Sequence, residues 1–209
     1  MIAYISCFVT AAIASLLTIR YVTHMFQLNA YKPKVQVKWL WHNAYRFWEL
    51  ALLLVLAAYS WRNALNLWLP TAVLVIAGWT MRPRRAKKPL VYTHRVDRLL
   101  LTTVILVAGG FYMAHTCGFY LLPLTVALIP LLVLLANYIN MPFEAWRRGT
   151  YVAKARKILK ASPDLTVIGV TGSYGKTSVK YYLNTLLQAQ FNSLMTPESY
   201  NTPMGVVKT

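Results

Sequence analysis

The 209-residue chain is 57% hydrophobic and only 13% charged, and its mean hydropathy of +0.44 excludes an ordinary soluble domain. A formal net charge of +17 suggests nucleic acid at first sight. Its distribution argues against that partner, because the basic residues fall in short blocks between apolar runs, where they act as topology signals.

Residues 2–19 carry no charge and are close to the length of about 20 needed to cross a bilayer. No basic segment precedes them and no small-residue cleavage site precedes Arg20, so they read as a first span rather than a signal peptide. The following segment carries Arg20, Lys32, Lys34, Lys38 and Arg46 interleaved with Trp39, Trp41 and Tyr45. Next to a span, that mixture is an interfacial belt. A second span over 47–61 and a third over 63–81 follow, joined by a hairpin tip at Arg62 and Asn63. Glu49 lies three residues from Arg46 at the edge of its span, which predicts an interfacial ion pair.

Residues 82–98 hold seven basic residues against Asp97, the strongest orientation signal in the chain. Such a loop stays on the cytoplasmic side and attracts anionic lipid. No charge then appears over residues 99–143, long enough for two crossings, with a break at His115–Gly118, so spans are expected over 99–114 and 119–138. Five spans put all three basic blocks on the inner side; four result if 47–61 is re-entrant. Cys7 and Cys117 predict no disulfide, and the scattered histidines no metal site. The sequence therefore predicts a membrane domain over 1–140 and a basic connector helix over 141–163.

The last 46 residues, 164–209, change character. Residues 166–170 are β-branched and read as a buried strand. From Lys176 apolar residues recur at Val179, Leu183, Leu186, Leu187 and Phe191 with helical spacing. Between them lies V-T-G-S-Y-G-K-T-S. Gly172 and Gly175 allow consecutive N–H groups of Thr171, Gly172, Ser173, Tyr174, Gly175 and Ser178 to turn toward an anion, Lys176 reaches the terminal phosphates of ATP, and the Thr177 hydroxyl holds Mg²⁺. The strict P-loop has its first glycine where this chain has Val170; here Gly169 comes one place earlier. Residues 193–196 read as a second short strand, and Thr202-Pro203 as a helix start with threonine at the N-cap.

The string G-x-T-G-S-x-G-K-T-S from Gly169 to Ser178, followed by T-P-E-S-Y-N-T-P-M-G-V over 196–206, resembles the Mur ligase family of ATP-dependent amide-forming enzymes. Within it, GSYGKTSVK is most similar to members that add D-alanyl-D-alanine to a UDP-muramyl peptide. The resemblance covers only 164–209. It implies the start of an α/β P-loop ATPase domain, which here follows the α-helical transmembrane bundle of about five spans expected from the apolar runs. It implies Lys176 and Thr177 as catalytic groups, and Ser199, Asn201 and Thr202 beside the metal and the acyl substrate. The implied reaction phosphorylates a carboxylate with ATP and passes the acyl phosphate to an amine. The family's remaining catalytic groups are expected beyond Thr209, making this chain an N-terminal portion that is inactive alone. The alternatives are an ATP-energised transporter or flippase, for which only Glu49 supplies an ionisable group within a span, and a non-catalytic membrane module.

Overall fold

The structure is a computed structural model that describes residues 2–62, 68–80, 88–197, 200 and 203–209. The chain divides into two units, Met1–Pro142 and Phe143–Thr209.

In the first unit, α1 spans Ile2–Leu28. Its 27 residues make about 40 Å of helix at 1.5 Å per residue, more than the ~30 Å hydrocarbon core. The apolar run ends at Arg20, but the helix does not, because arginine is a good helix former and its backbone hydrogen bonds are indifferent to its charge. A tight turn follows, in which Ala30 and Tyr31 both take positive φ, 53° and 54°. Helix α2, Pro33–His42, starts with proline in its first turn. A 3-10 turn, Ala44–Phe47, leads into α3, Trp48–Arg62, and α4 occupies Trp68–Thr80. Helix α5, His94–Thr116, is capped by the Thr93 side chain, which accepts from the Val96 N–H. Helices α6, Leu121–Ala127, and α7, Ile129–Lys160, meet at a bend of 66°. Pro130 lies in the first turn of α7, where its missing N–H breaks no helical bond, so a fresh helix starts there at low cost.

These elements correct the expectation of five spans. Among the described residues two helices, over Ile5–Leu28 and His94–Thr116, are long and apolar enough to cross a bilayer, and the number is three if the bent pair α6–α7 is one span. As described, α3 and α4 have 15 and 13 residues, about 22 and 20 Å of helix, less than a bilayer core. Residues 63–67 and 81, part of the expected third span, lie outside the described residues. The connector is not a separate helix either: residues 141–160 continue α7, with Pro142 inside it.

The interior of this unit is lined by Cys7, Ala11, Phe26, Leu53, Leu74 and Leu122, all fully buried. Helix α4 packs along α1, where a side chain at Gly78 would lie 3.6 Å from the Ala14 backbone. Small residues permit that approach, as in membrane helix pairs, where dispersion rather than water exclusion holds helices together. Phe8 stands edge-on to Phe111 and Phe119 at 6.2 and 6.0 Å. The outer faces carry Ile13, Leu16, Leu101, Ile105, Leu131 and Ile139, all exposed, as a lipid-facing surface requires. Both cysteines are free.

Glu49 lies in the first turn of α3, at the end of its expected span. It is 1% exposed, and its Oε2 has no hydrogen-bond partner. The side chain of Arg46, its expected partner, lies outside the described residues. Ser15, Thr18 and Asn137 also bury polar atoms without partners.

The second unit contains the C-terminal part of α7, α8 over Lys176–Leu187 and α9 over Pro203–Lys208. Among the described residues there is no β-strand, which overturns the α/β P-loop domain expected from the sequence. Residues 166–170 are extended but unpaired, and Val167 and Ile168 are 75% and 54% exposed rather than buried. An extended segment becomes a strand only by pairing its N–H and C=O groups with a neighbour, and among the described residues no such pairing is made.

Candidate nucleotide-binding turn

Helix α8 begins where the lysine of the glycine-rich turn was expected to open it, at Lys176. Gly175 is its N-cap and holds φ at 74°, a left-handed conformation that costs other L-residues about 1–2 kcal/mol. A Cβ at this position would meet nothing within 4 Å, so glycine is required by backbone conformation and not by space. Gly172 also has positive φ, at 154°. The Gly175 carbonyl accepts the first helical bond from Val179 at 2.9 Å, and no side chain caps the helix. The N–H groups of Lys176, Thr177 and Ser178 therefore stand free of intrahelical partners at the positive end of a 12-residue helix, with no acidic residue in its first turn.

The turn itself is open. Thr171, Gly172, Ser173, Gly175, Thr177 and Ser178 are exposed, and Tyr174 is 96% exposed. Lys176 folds back, its Nζ donating to the Gly172 carbonyl and, at 3.4 Å, to that of Ser173. The ammonium thus sits over the turn, within a side chain's swing of the free amides. This donor set fits a phosphate: main-chain N–H groups, one ammonium, the hydroxyls of Thr171, Ser173, Thr177 and Ser178, and no carboxylate to repel it. Thr177 offers a hydroxyl of the kind that takes a place on Mg²⁺. The turn has no general base, so its own residues could do no more than hold and orient an anion.

Lys180 is a residue that the motif reading passed over. One turn beyond Lys176 on α8, its Nζ donates to the Thr196 carbonyl, and the Ser193 hydroxyl donates to Asn184 Oδ1 at 3.0 Å. These bonds tie residues 193–196, extended but not a strand, against the helix that carries the turn. The signal was available as the four-residue spacing between two lysines, which puts both on one helical face. Of the other expected site residues, Ser199, Asn201 and Thr202 lie outside the described residues. The two stretches that carry the resemblance are therefore joined as far as Thr196.

No protein-family model, curated protein or solved structure matches the chain. The family resemblance stands on the residues of the turn and of 196–206 alone.

Proposed function

We propose that the chain is the membrane-anchored, ATP-binding portion of a Mur-type ATP-dependent amide ligase of peptidoglycan precursor synthesis. Its substrates in this reading are a UDP-muramyl peptide and D-alanyl-D-alanine. The observation that supports it most is a G-V-T-G-S-Y-G-K-T-S string whose last glycine takes a left-handed turn at the mouth of α8. In this reading the amides of 172–178 and Lys176 hold the triphosphate, and Thr177 holds Mg²⁺. Bound Mg-ATP supplies the phosphoryl group that activates a carboxylate. The chain's own residues position that group and balance its charge.

In this reading the chain crosses a bacterial inner membrane three times, by α1, α5 and the α6–α7 pair, with its amino terminus outside and the nucleotide turn in the cytoplasm. The basic stretches support this orientation, since Lys/Arg-rich loops stay inside. The test is Mg-ATP binding by the full chain in lipid nanodiscs. Lys176→Ala and Gly175→Ala should each weaken it, the first by on the order of tenfold or more, as expected for losing a charged phosphate contact. Absence of binding, or equal affinity in Lys176→Ala, removes the reading.

One observation favours a second reading, an ATP-energised transporter or flippase: the buried carboxylate of Glu49 among apolar helices. ATP-dependent movement of a lipid or solute across sealed vesicles, lost in Glu49→Gln, would select it over the ligase.

A further inference from the structure

Two stretches far apart in the sequence meet at one end of the first unit. The carboxamide of Gln27, near the end of α1, donates to the Val91 carbonyl at 2.7 Å and accepts from the Val91 N–H at 3.1 Å. His24 Nε2 donates to the Lys88 carbonyl at 2.9 Å. The Arg95 guanidinium lies 4.1 Å from the centre of the Tyr31 ring, in the turn between α1 and α2. These contacts place Lys88, Arg95 and Arg98 at the same end of the unit as Lys32, Lys34 and Lys38. Asp97, also at this end, lies 3.9 Å from His94.

Helix α2 shows what this end faces. Its inner face is Gln36, fully buried, with Trp39 and Leu40 packed against the core. At 100° per residue the outer face divides in two. Val37 and Trp41, 53% and 82% exposed, make an apolar strip. Lys34 and Lys38, both exposed, make a basic strip beside it. A nucleic acid has no use for an exposed valine and indole on the flank of the lysines. The boundary of a bilayer does, since acyl chains take the apolar strip and headgroup phosphates the ammoniums.

We propose that α2 and the 88–98 stretch together form a surface for anionic phospholipid headgroups, with α2 lying in the membrane interface. Lys34 and Lys38 contact lipid phosphates there, Trp41 anchors the helix among the upper acyl segments, and Gln27 fixes the second basic stretch beside them.

The test uses the full chain in nanodiscs of mixed zwitterionic and anionic phospholipid, with spin-labelled phosphatidylcholine and phosphatidylglycerol as probes. The protein-contacting fraction should favour the anionic probe by about threefold at low salt, and the preference should shrink in high salt. In the exposed double variant Lys34→Gln/Lys38→Gln it should fall toward equality. No headgroup preference in the wild type, or one unchanged in the double variant, overturns the proposal. So does binding of a short RNA by the detergent-solubilised wild type that the double variant loses. Circular dichroism of the double variant, expected to match the wild type, establishes that any lost preference comes from charge and not from unfolding.

Discussion

Gln27 holds the backbone of Val91 by both ends of its amide, accepting from the N–H and donating to the carbonyl, across 64 residues of sequence. This is the bond pair that one strand offers another, supplied by a single side chain. Gln27→Ala removes both bonds and leaves the Val91 groups to water. Because the site is partly exposed, the expected loss of stability is about 1 kcal/mol. Amide exchange across 88–93 should accelerate while α1 keeps its protection. Unchanged exchange at Val91 would show that the stretch is held by something other than this glutamine.

Lys180 plays a comparable part in the second unit by holding the Thr196 carbonyl. Lys180→Met keeps the aliphatic stem and deletes the donor. A charged hydrogen bond in a part-exposed setting contributes about 1 kcal/mol, which is about fivefold in the local opening equilibrium. Hydrogen exchange over 193–197 should quicken by that factor, with α8 unaffected. If the nucleotide reading holds, Mg-ATP binding should weaken less than in Lys176→Ala, because Lys180 supports a neighbouring segment and not the turn.

How much of this was legible in the sequence depends on how local each interaction is. The start of α8 at Lys176 could be read because a glycine turn and a helical repeat of apolar residues are both written within a few positions. The strand expected at 166–170 could not form on the same terms, since its hydrogen bonds must come from a distant partner and its β-branched residues say only that one would suit it. Span boundaries failed for a related reason. Arg20 ends an apolar run yet leaves α1 helical to Leu28, and the described helices within 47–81 are each shorter than a crossing. Charge marks where a chain would leave lipid, whereas backbone bonding decides where a helix stops. The grip of Gln27 on Val91 had no signal at all, because a glutamine in a helix gives no sign of its partner.

Arg147 and Tyr151 give a pH dependence whose direction is fixed. The Arg147 Nη2 donates to the Tyr151 hydroxyl at 3.1 Å, which lowers the phenol below its ordinary value near 10 and raises the guanidinium. A depressed acid contributes stability that is fully present above its unfolded value and is lost as pH falls through the folded one, so the contribution lies at alkaline pH. At neutral pH, Arg147→Gln should leave stability unchanged. In an ultraviolet titration, the same variant should move one tyrosine's ionisation upward. An identical titration curve would mean that the pair does not persist in solution.

Glu49 is a buried acid whose expected partner, the Arg46 side chain, lies outside the described residues. A carboxylate 1% exposed, with Oε2 lacking any hydrogen-bond partner, carries a desolvation cost that nothing seen at that oxygen offsets. Replacing it with a neutral isostere removes the charge without changing the volume. Glu49→Gln should therefore raise the thermal midpoint of the solubilised chain, corresponding to about 1 kcal/mol of added stability. The opposite result is equally informative, since breaking a buried pair by neutralising one member typically costs 3–5 kcal/mol. A drop of that size would show that a cation holds the other oxygen of Glu49, and a structural ion pair would then account for the buried acid. A rise accompanied by loss of transport in sealed vesicles would mean that the chain keeps a destabilising carboxylate for work done inside the membrane, as functional acids in such places do.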